Sequence, residues 1–174
     1  MNYFQLFGLE QDFELDSQAL SSTFQTLQKA VHPDKFAHAS SQEQLMAVQK
    51  SSTINDAYQT LKAPLSRAEY LLKVRGVDMP DEQATVGDMQ FLMRQMELRE
   101  MLEEISSADD IDAALFDASQ TLDQEYLSLM KTLSAELAEN SELSNQSASE
   151  NLRKLKFYQK LNIELERLEE QLLD

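Results

Sequence analysis

Asp88-Met89-Gln90-Phe91-Leu92-Met93-Arg94-Gln95-Met96-Glu97-Leu98-Arg99-Glu100-Met101-Leu102-Glu103-Glu104-Ile105 opens a segment, residues 88–174, that contains neither glycine nor proline. All three glycines (Gly8, Gly76, Gly87) and all three prolines (Pro33, Pro64, Pro80) precede it. A long unbroken stretch rich in Leu, Glu, Gln, Lys and Met reads as helix. Its interruptions are Ser106-Ser107-Ala108-Asp109-Asp110 and the Ser/Asn-rich run from Asn140 to Ser149. They predict three helices, near 88–105, 110–139 and 149–173. Connections this short make neighbours antiparallel, so the segment reads as a three-helix bundle.

The opening helix has two apolar faces. At 100° per residue from Phe91, the residues Leu98, Leu102 and Ile105 fall within about 40° and form one packing stripe, with Met101 nearby. Leu92, Met93 and Met96 lie on the opposite side, and Glu97, Glu100, Glu103 and Glu104 surround them. A bundle helix needs one buried stripe, so the second is either a docking surface or core covered by other elements. Periodicity leaves both readings open. Burying three such side chains gains roughly 1.5–3 kcal/mol each, whereas association costs on the order of 4–15 kcal/mol. A docking role therefore requires more surface or a charge-complementary partner. Phe157, beside the stripe of Tyr158, Leu161, Leu165, Leu168 and Leu172, is one candidate; it reads equally as an aromatic at the edge of the core.

Upstream the elements are shorter but also helical, and the fold class is all-α. Asp16 or Ser17 can cap a helix carrying Leu20, Phe24, Leu27 and Val31, and Pro33 stops it. Ser41-x-x-Gln44 resembles a capping box that opens a second helix, with Ile54, Ala57, Tyr58 and Leu61 along one face and Leu45 and Val48 pointing elsewhere. Pro64 suits a first helical turn, and Gly76 suits a C-terminal cap after Leu65, Ala68, Leu71 and Leu72. The expected organisation is a first domain over 1–76, a linker over 77–87 and the bundle over 88–174.

Charge divides at the same place. The chain of 174 residues has 15 Lys+Arg against 31 Asp+Glu, a formal net charge of −16. Residues 1–76 carry 7 basic and 8 acidic residues; residues 77–174 carry 8 and 23. So acidic a second half disfavours nucleic acid as a partner. With no cysteine the chain has no disulfide framework, thiolate metal site or catalytic thiol. No stretch approaches membrane-spanning length and the start lacks a signal-like apolar run, which predicts a cytoplasmic protein without membrane contact.

Chemistry has few places to reside. His32-Pro33-Asp34 is the one constellation that invites a catalytic reading, and His32 and His38 are the only histidines. A general base needs an orienting partner and a pocket, whereas Pro33 puts His32 and Asp34 on a loop. There is no phosphate-binding glycine loop, nucleophile elbow or HExxH, and no carboxylate spacing completes a metal site. The chain reads as a non-enzyme without cofactor or metal.

The context of that tripeptide is specific. Tyr3-Phe4-x-Leu6-x-Gly8-Leu9, His32-Pro33-Asp34-Lys35, Ile54-Asn55-Asp56-Ala57-Tyr58-x-x-Leu61 and Pro64-x-x-Arg67-x-x-Tyr70 resemble the J-domain of co-chaperones over about the first 75 residues. The resemblance implies a helical hairpin whose His-Pro-Asp loop engages an ATP-bound DnaK-type chaperone and stimulates its ATPase. His32, Pro33 and Asp34 would carry that role, with Lys29 and Lys35 as electrostatic support. Val31 stands where many J-domains have an aromatic residue, and Lys29 alone replaces the usual several bases.

Both halves together resemble the HscB family, the J-domain co-chaperones of bacterial iron–sulfur cluster assembly. The marks are Tyr3 to Leu9, His32-Pro33-Asp34-Lys35-Phe36, Arg67-Ala68-Glu69-Tyr70-Leu71-Leu72, Phe91-Leu92-Met93-x-Gln95-x-Glu97-Leu98-Arg99-Glu100 and Leu152-Arg153-Lys154-Leu155-Lys156-Phe157. This resemblance implies an L-shaped monomer that brings the cluster scaffold IscU to the chaperone HscA, with an IscU-like and an HscA-like partner here. Carried over by position, the scaffold-binding residues are Leu92, Met93, Met96, Glu97, Glu100, Glu104 and Phe157. Met96 replaces a usual leucine, a volume-conserving swap. The alternative from another class is a structural or regulatory module that self-associates through its C-terminal helices.

Overall fold

The computed structural model describes residues 1–79 and 88–173. Among these residues there are only helices, turns and loops: α1 (Tyr3–Leu6), α2 (Ser17–Val31), α3 (Ser41–Lys62), α4 (Pro64–Val74), α5 (Met89–Glu104), α6 (Ile111–Glu139) and α7 (Glu142–Leu173), with 3-10 turns at Pro33–Phe36 and Ile105–Ser107. The chain divides into two compact units, Met1–Val77 and Asp78–Asp174. Most of the expected linker, residues 80–87, lies outside the described residues.

In the first unit α2 and α3 form the hairpin. Asp16 caps α2 by accepting from the backbone N–H groups of Gln18 and Ala19, and the chain turns out of the helix at His32, the residue before Pro33. The two helices are strapped reciprocally: the Ser51 hydroxyl donates to Gln28 Oε1 at 2.7 Å, and Gln28 Nε2 donates to the Ser51 carbonyl at 3.1 Å. Phe24 stacks on Tyr58 at 4.1 Å between centroids. Ile54, Ala57 and Leu61 are buried, as are Leu65, Ala68, Leu71 and Leu72 of α4, while Leu45 and Val48 are exposed.

The Arg67-x-x-Tyr70 pair has a structural task. Arg67 Nη1 donates to the Leu61 carbonyl at 2.8 Å, closing the end of α3, and its guanidinium lies 4.9 Å from the Phe13 ring centroid. The Tyr70 hydroxyl accepts the Tyr3 backbone N–H at 2.9 Å while the two rings stack at 4.5 Å, which fastens α1 to α4. Gly76 ends α4 at φ +80°, with the Val77 N–H on the Leu72 carbonyl and the Gly76 N–H on the Lys73 carbonyl. That is a Schellman cap, and its left-handed residue favours glycine.

Two local expectations are corrected. Ser40, not Ser41, caps α3, its hydroxyl accepting from the Glu43 N–H at 3.2 Å. Gln44 instead donates to the carbonyls of Phe36 and Ala37. The last helix begins at Glu142, not near 149. Asn140 alone breaks the path, at φ +51°, and Ser141 and Ser144 cap the new helix reciprocally through N–H to hydroxyl bonds of 3.0 and 2.8 Å. Three polar residues of this run are interior: Ser144, Asn145 and Ser149 are buried, and the Ser149 hydroxyl is satisfied by the Gln146 carbonyl at 2.7 Å, while Gln146 and Ser147 are exposed.

The bundle core joins Leu98, Leu102 and Ile105 to Leu115, Ala118 and Leu122 of α6 and Tyr158, Leu161 and Leu165 of α7. Polar clamps fix α5 on both flanks. Arg94 forks onto Glu125 of α6 (Nε–Oε1 2.8 Å, Nη2–Oε2 3.1 Å), and Lys154 of α7 reaches the α5 cap Asp88 at 2.7 Å. Arg99 meets Glu164 of α7 at 3.5 Å. Lys154, and then the Phe91 N–H, hold the Asp88 carboxyl below its ordinary range. Burial, reinforced by the Glu125 charge, pushes the Tyr158 hydroxyl up to about 12.

Tyr70→Phe keeps the ring stack but leaves the Tyr3 N–H without its acceptor, so the first unit loses about 1 kcal/mol in urea unfolding. The raised Tyr158 hydroxyl favours the folded state while protonated. The free energy of unfolding therefore falls as pH rises from about 10, where an unfolded tyrosine ionises, to about 12. Tyr158→Phe removes that slope, read from denaturation curves across the interval.

Candidate functional site

The His-Pro-Asp turn is built by its own backbone. The residue preceding a proline is pushed out of the α region, and His32 sits at φ −57°, ψ 134°. Pro33 then starts the 3-10 turn, where its missing N–H costs nothing. The Asp34 N–H donates to His32 Nδ1 at 3.2 Å, so the imidazole itself caps the turn. The Asp34 carboxylate lies 3.6 Å from the same Nδ1, and the side chains are 58% and 92% exposed. Such a solvated pair is a poor setting for a tuned general base and a good one for contact with another molecule.

Lys29, in the last turn of α2, and Lys35, within the 3-10 turn, are both exposed. The structure thus places Lys29, His32, Pro33, Asp34 and Lys35 on one continuous stretch at the hairpin tip. Gln44 of α3 braces its far side through the Phe36 and Ala37 carbonyls, and the Gln28–Ser51 strap lies one turn before it. Beside the tip, an apolar cleft of about 390 Å³ opens between α2 and α3, with Leu27, Val31, Met46 and Ile54 in its walls and Lys50 at its edge. Leu27 and Val31 lie on the apolar stripe that the spacing gives this helix, and they are only half-buried. The untidy apolar pattern of α3, with Leu45, Met46 and Val48 exposed, was the available signal.

The second surface lies on α5. Its packing stripe is in the core, with Leu98, Leu102 and Ile105 at 1%, 8% and 2% exposure, whereas Met93 and Met96 stand at 58% and 66%. Leu92 is half-buried, and Glu97, Glu100 and Glu104 are exposed around this patch. Glu97 is engaged by Arg94 at 2.8 Å, while Glu100 and Glu104 make no ion pair among the described residues. Phe157 of α7 is half-buried: it meets the Phe91 ring edge-on at 5.6 Å, and the Arg99 guanidinium lies 5.5 Å from its centroid. It belongs to the rim of the core and borders the patch. All seven expected residues thus lie on α5 or on the α7 face against it. Among the described residues no cluster of His, Asp or Glu could hold a metal ion, and no helix is long and apolar enough to cross a membrane.

Known proteins share this arrangement from end to end. A family model described as the HSCB C-terminal oligomerisation domain matches residues 87–166. The co-chaperone protein HscB homolog of Colwellia psychrerythraea is 62% identical over 174 residues, 100% of this chain and 99% of the relative. That of Vibrio cholerae is 53% identical over 175 residues, covering 99% of each. The fold superposes on the solved chaperone HscB from Vibrio cholerae with a TM-score of 0.88 and 48% identity over 99% of both chains. It matches the crystal structure of human co-chaperone protein HscB with a TM-score of 0.88 and 30% identity, over 97% of this chain and 82% of that one. The likeness spans both units of the chain, and the chain belongs to the HscB family of co-chaperones.

Proposed function

We propose that the chain links two proteins in the cytoplasm: it stimulates the ATPase of an HscA-like, DnaK-type chaperone and delivers to it an IscU-like iron–sulfur scaffold, assisting cluster transfer. Lys29, His32, Pro33, Asp34 and Lys35 engage the chaperone. Leu92, Met93, Met96, Glu97, Glu100, Glu104 and Phe157 hold the scaffold. The chain supplies no nucleophile or cofactor to either step; its contribution is to raise the local concentration of one partner at the other.

The observation that carries this reading is the division of α5 into a fully buried stripe and a bare, acid-rimmed one. Exposed methionines on a rigid helix, flanked by Glu100 and Glu104 without ion pairs, suit a partner presenting apolar residues among basic ones. The braced, solvated turn at the hairpin tip supports the chaperone half of the reading. A second reading draws on one finding, the oligomerisation named in the matching family model. In it the chain self-associates through α6, where Phe116 and Leu127 are 62% and 63% exposed.

His32→Gln removes the imidazole cap and abolishes ATPase stimulation measured with purified chaperone and scaffold; full stimulation by this variant overturns the chaperone assignment. Leu92→Ala/Met96→Ala weakens scaffold binding by about 10- to 100-fold in calorimetric titration. Sedimentation equilibrium of the full chain separates the two readings: a monomer mass at micromolar concentration supports the adaptor, a dimer the self-association.

A further inference from the structure

Between the end of α5, the 3-10 turn that follows and the start of α6 lies a cleft of about 600 Å³. Its floor is the buried pair Ile105 and Ala118, and its walls are the half-buried Met101 and Ala114. Alanine at 108, 114 and 118 leaves the space that larger side chains would fill. At its mouth stand two exposed carboxylates, Glu104 on α5 and Asp117 on α6. The cleft adjoins the α5 patch: Met101 is one turn beyond Glu97 and flanks Glu104 on the same helix surface. From Glu100 through Met130 the chain contains no lysine, arginine or histidine, so no cation within this segment offsets the two carboxylates.

An apolar trough closed by two carboxylates matches a side chain that is hydrocarbon along its stem and cationic at its tip. We propose that this cleft receives a lysine or arginine side chain of the scaffold partner seated on Leu92, Met93 and Met96, so that the partner's footprint crosses from α5 onto α6. The inference rests on the scaffold-binding reading above and adds Met101, Ala114 and Asp117 to it. Charge complementarity selects the occupant: an acidic or neutral segment gains nothing from the mouth, and a basic one gains two partners.

The test uses the full chain and purified IscU-type scaffold in calorimetric titration. Asp117→Lys is expected to lower affinity about tenfold, with an effect that shrinks as salt is raised. Asp123→Lys makes the same charge change on the same helix, about 120° around it from Asp117, and is expected to alter affinity less than about twofold. Methionine-methyl NMR of the full chain gives a second measurement: the Met101 signal shifts on adding scaffold, together with those of Met93 and Met96. Wild-type affinity in Asp117→Lys, with weakened binding in Met96→Ala, overturns the cleft and leaves the α5 patch standing. Undiminished binding in both overturns the scaffold reading itself. Equal losses in Asp117→Lys and Asp123→Lys, or a Met101 signal that moves with protein concentration alone, likewise overturn the cleft.

Discussion

The rotation of α5 about its own axis is the constraint on which the rest of the second unit depends. Hydrophobicity alone does not set it, because the helix carries apolar side chains on opposite sides: Phe91, Leu98 and Leu102 on one, Leu92, Met93 and Met96 on the other. What selects one rotation is the pair of flanks. Arg94 can fork onto Glu125 and Arg99 can reach Glu164 only when the Phe91 stripe faces inward between α6 and α7. An exposed ion pair contributes about 0–1 kcal/mol, but a bidentate, partly buried Arg–carboxylate fork adds direction as well as energy. The clamps reinforce the inward choice of the larger, Phe91-containing face, and the face left out becomes the candidate scaffold surface.

Glu97 shows how closely the structural and functional parts are joined. Its carboxylate meets the same guanidinium that forks onto Glu125. Arg94 thus spends one charge on two acids, one in the frame of the bundle and one on the proposed binding face. A basic partner approaching Glu97 competes with Arg94, whereas Glu100 and Glu104 meet it without such competition.

Much of this architecture is written in residue spacing. The absence of glycine and proline after residue 87 located the bundle, and the 100° projection of α5 separated Leu98 and Leu102 from Met93 and Met96 before any coordinates. Composition misled where polar residues do interior work. The run Asn140 to Ser149 looks like a loop, yet Ser144, Asn145 and Ser149 are buried inside α7 and satisfied locally. Only Asn140, with its left-handed backbone, is a true break. Likewise Ser40 and Ser41 both carry a hydroxyl suited to capping, and the choice depends on where the preceding turn delivers the chain. Phe157 stayed ambiguous because its position on α7 marks the rim of the core and the edge of the patch at once. The cleft lined by Met101 and Ala114 was not legible at all, since it exists only where two helices meet.

The methionines on the bare face have a thermodynamic side. Met93 and Met96 are unbranched, exposed and held by little around them, so each samples many rotamers while unbound. Fixing such a side chain costs about 1.5–2 kcal/mol of entropy, a large part of what its burial returns. A face built this way adapts to small differences in the shape it meets and releases it readily. For the scaffold delivery proposed above, a surface of loose side chains on a rigid helix would favour turnover over retention.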